Sequence, residues 1–112
     1  MSAPRLSRRL VLEEGQRLSD GAGGYSTSWV ALGTLWAAVE PIGGRERAGE
    51  SVTVSAVGYR IIVRAARQGA VSRPKPDQRL REGGRIFRIT AVAETGGAGH
   101  YLTCHATEEV LA

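Results

Sequence analysis

Glycine punctuation limits this chain more than any other feature. Clusters at Gly21, Gly23 and Gly24, at Gly43, Gly44 and Gly49, at Gly83 and Gly84, and at Gly96, Gly97 and Gly99 cut it into short pieces. The 15 glycines in 112 residues are about twice the usual share, and glycine favours turns over long helices. Between the clusters the apolar residues tend to recur at every second position, the period of a strand with one buried face. A chain of this length forms one domain, and its 42% hydrophobic and 23% charged residues match ordinary globular composition.

Leu10 and Leu12 alternate with polar neighbours in a first short strand over residues 9–13. Residues 15–28 collect Gly, Ser, Asp and Thr and are expected to be a loop. Residues 29–42 are rich in aromatic and branched side chains and end at Pro41, which suits a strand, although Ala37 and Ala38 leave a helix open. Val52, Val54 and Ala56 share one parity while Val57, Tyr59, Ile61 and Val63 share the other, so a bulge is expected near Ala56. Pro74 and Pro76 mark residues 65–77 as connecting chain. A strand follows Gly84, with Phe87, Ile89, Ala91 and Ala93 on its apolar face, and Leu102, Cys104 and Ala106 define a closing strand hairpinned to it. These five strands predict an all-β fold, a small antiparallel β-barrel or sandwich. Residues 1–7 read as a flexible lead-in, 8–107 as the single domain and 108–112 as a C-terminal tail. Residues 43–50 hold three glycines among alternating charges, too hydrophilic for a core, and are expected to project into solvent.

The chemistry visible at this level is sparse. Cys104 is the only cysteine, which excludes a disulfide within the chain and fits a reducing, cytoplasmic setting. Its neighbour His105 points to the opposite strand face, so no nucleophile and base pair forms; a buried, inert thiol is expected. Cys104, His100 and His105 match no zinc spacing, and no metal or cofactor is expected. The cluster Gly21, Gly23, Gly24 lacks the lysine of a phosphate loop. Glu13 and Glu14 diverge as strand neighbours and read as solvated charges. Trp29, Trp36 and Phe87 read as structural anchors, in the core or at an interface. No apolar run approaches the ~20 residues of a membrane helix, and no membrane partner is expected.

The net charge is +4, carried almost wholly by arginine. Arginines at 60, 64, 67, 73, 79, 81, 85 and 88 describe either a basic strip for phosphate or the solvated exterior of a barrel. The few aromatic residues do not make a base-stacking platform, which favours the solvated exterior and leaves contact with passing duplex DNA open.

The order of several segments resembles the head-tail joining, or head completion, proteins of long-tailed phages and phage-like gene transfer particles. Those segments are Asp20-Gly-Ala-Gly-Gly24, Trp29, Leu35-Trp-Ala-Ala-Val-Glu-Pro41, Gly44-Arg-Glu46, Ile62-Val-Arg64, Asp77-Gln-Arg79, Gly84-Arg-Ile-Phe-Arg-Ile89 and Leu102-Thr-Cys104. They span nearly the whole chain; Phe87 stands where tyrosine is more usual. The resemblance implies a non-enzymatic virion neck protein, assembled in the bacterial cytoplasm: a small β-barrel with a long projecting loop, six or twelve copies in a ring. Its partners would be the adaptor and portal on the head side, the tail terminator and tail on the other, and packaged double-stranded DNA in the channel. By position, Gly43, Gly44, Arg45, Glu46, Arg47, Gly49 and Glu50 match the loop that faces that channel, with Arg45 and Arg47 as its candidate DNA or partner contacts. A tail terminator ring and a free DNA-binding β-barrel are the alternatives.

Overall fold

The computed structural model describes residues 3–42, 57–97 and 99–109. Six strands run β1(Arg8–Ser19), β2(Tyr25–Pro41), β3(Gly58–Arg64), β4(Arg79–Glu82), β5(Arg85–Thr95) and β6(Tyr101–Glu109). All neighbours pair antiparallel, and the order β1-β2-β3-β6-β5-β4 closes on itself as a barrel. The all-β expectation holds, and no helix forms where Ala37 and Ala38 had left one open.

The barrel is filled by its own side chains. Leu10 and Leu12 from β1, Ile61 from β3, Leu80 from β4, Phe87 and Ile89 from β5, and Leu102 and Cys104 from β6 have no exposed surface. The Phe87 ring meets Tyr59 edge to face, with centroids 5.1 Å apart, a favoured aromatic geometry. Closure depends on the shortest strand. β4 has four residues and pairs with β1 only at Val11↔Arg81, Leu12↔Leu80 and Glu13↔Arg79. Ion pairs reinforce that seam: Arg8 grips Glu82 through Nε and Nη2, and Glu13 binds both Arg79 and Arg81.

Three strand assignments need correction. Residues 15–28 are a hairpin rather than a loop: β1 and β2 continue their ladder to Ser19↔Tyr25, and only residues 20–24 turn. Asp20 organises that turn by accepting hydrogen bonds from the Ala22 and Gly24 amides at 2.8 and 3.0 Å, while Gly21 and Gly23 supply positive φ. Alternation failed as a guide there because both faces of the hairpin meet solvent. Residues 79–82 form a strand that one buried leucine among charges does not reveal. In β5, Ala91 and Ala93 do not continue the Phe87–Ile89 face. The register jumps between Ile89 and Ala91, Thr90 is the extra residue and donates its hydroxyl to the His105 carbonyl at 3.0 Å, and beyond it Val92 turns inward to the core. A bulge reverses side-chain parity in this way. The bulge expected near Ala56 lies outside the described residues.

β1 and β2 outrun the barrel. Their ladder slips between Leu12 and Glu13, and from Glu14 to Ser19 every β1 residue is exposed. The radius of gyration is 15.7 Å, against about 13 Å for a compact domain of this length, and the arm adds to that extension.

Candidate assembly surfaces

The strand directions sort the connections into two groups. At one end lie the start of β1, the base of residues 43–56, the Gly83–Gly84 turn and the end of β6; at the other lie the β1–β2 arm, residues 65–78 and the turn after β5. The channel-loop candidates Gly43, Gly44, Arg45, Glu46, Arg47, Gly49 and Glu50 lie outside the described residues. The base from which they depart is well formed: Pro41 pairs with Tyr59, and the Ile42 amide donates to the Gly58 carbonyl at 2.9 Å.

The arginine strip is largely neutralised by the chain's own carboxylates. Arg60 pairs with Glu40, Arg73 with Glu94, Arg85 with Glu108, and Arg88 lies 3.9 Å from both Asp77 and Glu109. This is the exterior of a barrel rather than a continuous phosphate track. Glu13 corrects the expectation of a solvated charge, being only 5% exposed. Burial pushes its carboxyl up, but hydrogen bonds from Arg79 at 2.7 Å and Arg81 at 2.9 Å, with their charges, outweigh burial and hold it below its ordinary value. Glu82 and Glu108 are also held low, chiefly by hydrogen bonds from Arg8 and Arg85. The missed signal for Glu13 was Arg79-Leu-Arg81, two cations on one parity of a strand beside it.

Trp29 stacks beneath the Arg79 guanidinium, 4.0 Å from the ring centroid, with Arg88 at 6.0 Å. Gly15 lies opposite in the ladder, where a Cβ would meet the indole at 3.3 Å. Trp29 thus joins the root of the arm to β4 and β5. Phe87 is a core residue, whereas Trp36 faces outward and is 56% exposed.

Cys104 is sealed in the core, and burial pushes its thiol up to about 12. His105 sits on the opposite face, paired in register with Arg60. Among the described residues no group of three or more His, Cys, Asp or Glu side chains comes together as a metal site.

The described residues thus present a closed barrel, an exposed two-stranded arm and an exterior whose arginines are largely ion-paired. The family model for phage head completion proteins matches residues 1–109, and the chain belongs to that family. It is 58% identical to a chain of the virion of a native gene transfer agent particle, with a TM-score of 0.82 over 98% of this chain and 100% of that one. Protein SF1141 from Shigella flexneri 2a, known from a solution structure, shares the fold at 21% identity and a TM-score of 0.66, covering 96% of each chain. No curated protein matches.

Proposed function

We propose that this chain is a structural neck protein of a phage-like particle, forming a ring between the portal with its adaptor and the tail. In this reading the ring closes the channel over packaged double-stranded DNA and presents the surface to which the tail attaches. The observation that carries it is the end-to-end match, at 58% identity, to a chain of a gene transfer agent virion. The fold is consistent with the role: neighbouring strands β2 and β3 deliver residues 43–56 from one end of a closed barrel, so symmetric copies would bring Arg45, Glu46, Arg47 and Glu50 toward a common axis. There the arginines would meet DNA phosphates while the glutamates limit adhesion or pair with the next copy. Glycines at 43, 44 and 49 permit the backbone rearrangement that opening requires.

A free DNA-binding barrel loses support from the ion pairs along the arginine strip, and a tail terminator from the family to which the chain belongs. Electron microscopy of particles from a strain lacking this chain decides the matter. Tailless heads that have lost DNA are expected; normal, filled and tailed particles would overturn the neck role. In a strain carrying a chain deleted for residues 43–50, loss of DNA from the heads is expected, and retained DNA would overturn closure by this loop.

A further inference from the structure

The outer face of the barrel carries a belt that the fold leaves uncovered. Arg9 stands opposite Trp36 in the β1–β2 ladder, Arg64 opposite Tyr101 in the β3–β6 ladder, and Trp36 and Arg64 lie one residue beyond the pair Ala37↔Val63. Ala37, Val63 and Leu102 point into the core, so their neighbours Trp36, Arg64 and Tyr101 all point out. Four adjacent strands therefore present Arg-Trp-Arg-Tyr across three strand spacings, about 14 Å. Trp36 is more than half exposed, and the Arg64 guanidinium lies 5.9 Å from the Tyr101 ring centroid. Beside the belt is an open hollow of about 440 Å3 floored by Ile62 and Thr103, whose rim includes Glu40, paired with Arg60, and Glu94, paired with Arg73. Trp, Tyr and Arg grouped on one outward face is the composition of an interface hot spot.

The same chain has a second uncovered element. A two-stranded ribbon is marginally stable at best on its own, yet the β1–β2 arm exposes Leu18 at 50% and Val30 at 37%. These two, with Glu14, lie on one side of the ribbon, and Asp20 stands at its tip, fully exposed, with its carboxyl held low by the Ala22 and Gly24 amides. The arm thus offers apolar side chains and negative charge, and the belt offers aromatic rings and positive charge. A ring needs two different, complementary patches on each subunit. The Leu18 end of the arm cannot reach the belt within one chain, because Leu18 pairs at Ser26 and ten further residues of extended strand, about 33 Å, separate Ser26 from Trp36; Ala38 lies two residues beyond Trp36 on the same outward face.

We propose that the β1–β2 arm of one copy seats on the Arg9–Trp36–Arg64–Tyr101 belt of the next copy and is the contact that closes the ring. This rests on the neck-ring reading above. The test is a chain carrying Leu18→Cys and Ala38→Cys, assembled into particles and treated with a mild oxidant; the native Cys104 is buried and stays silent. A ladder of covalent multimers of this chain is expected, and monomer alone from either single variant. Filled, tailed particles containing the doubly substituted chain without a ladder would overturn the arm and belt contact while leaving the neck role standing. A cross-link to another component would overturn the second copy as the occupant. If the cysteine chain does not assemble, Trp36→Ser and Arg64→Glu decide: each is expected to melt like the parent yet cut the yield of filled, tailed particles at least tenfold, and an unchanged yield would overturn the contact. Filled, tailed particles from the deletion strain would instead remove the ring reading itself.

Discussion

The strands β1 and β2 pass through two environments. From Arg8 to Leu12 they form part of a closed barrel with Leu10 and Leu12 fully buried; from Glu14 to Ser19 the same ladder runs on through solvent. Backbone pairing resumes past a single bulge and runs the length of both regions, so it cannot be what separates them. Burial separates them: pairing sets where the strands go, and packing sets how firmly they are held. Between the two stand the bulge at Leu12/Glu13 and the cluster of Glu13, Arg79, Arg81 and Trp29, which ties the root of the arm to the barrel wall.

The largest expected effect contrasts two aromatic truncations. Phe87→Ala should lower unfolding free energy by about 3–5 kcal/mol, since it empties the centre of the core, whereas Tyr25→Ala on the arm should change it by less than about 0.5 kcal/mol. Urea unfolding of the purified chains measures both, and equal losses would break the distinction between barrel and arm.

At the junction, Glu13→Gln should cost about 2 kcal/mol by the same measurement, because it removes the charge that satisfies Arg79 and Arg81. A cost as small as that of Tyr25→Ala would place the junction with the arm rather than with the barrel.

Acid should act on the barrel through the same group of carboxylates. Glu13, Glu82 and Glu108 have folded values below their ordinary ones. Their contribution is therefore fully present above the unfolded carboxylate value, about 4.3, and disappears as pH falls through the lower folded values. The thermal midpoint should be nearly flat from pH 7 to about 5 and decline below that, less steeply in Glu13→Gln. A midpoint that rises on acidification would show these pairs to be unfavourable.

The smallest effect belongs to the tip of the arm. Asp20→Ala should speed amide exchange at Ala22 and Gly24 and leave global unfolding unchanged, because Asp20 holds only its own turn. Slower exchange across the barrel strands would mean that the two regions are more strongly coupled than their burial implies.

What could be read from the sequence divides along the same line. Inside the barrel, alternation exposed Leu10 and Leu12, Ile61 and Val63, Phe87 and Ile89, and Leu102, Cys104 and Ala106, since one face of each strand is dry. The arm escaped because neither of its faces is, so nothing in its side chains reports a strand. β4 escaped because a four-residue strand offers a single inward leucine, and the bulge at Thr90 turned Ala91 and Ala93 outward against the pattern. A ring and a channel would depend on copies of the chain beyond the first, so only the resemblance pointed to them. Trp36 could be marked as an anchor, but an indole facing out of a strand reads the same as one facing in until the register is known.

The unbroken course of β1 and β2 also has a mechanical meaning. A pull on the tip of the arm draws both strands the same way and loads in shear the ladders that anchor them, β2–β3 over five register pairs and β1–β4 over three. The seam between the four-residue β4 and β1 is the shorter of the two, and a force that peels it meets the Arg8–Glu82 and Glu13 ion pairs as its principal resistance. Under strain the barrel therefore yields first at its shortest strand.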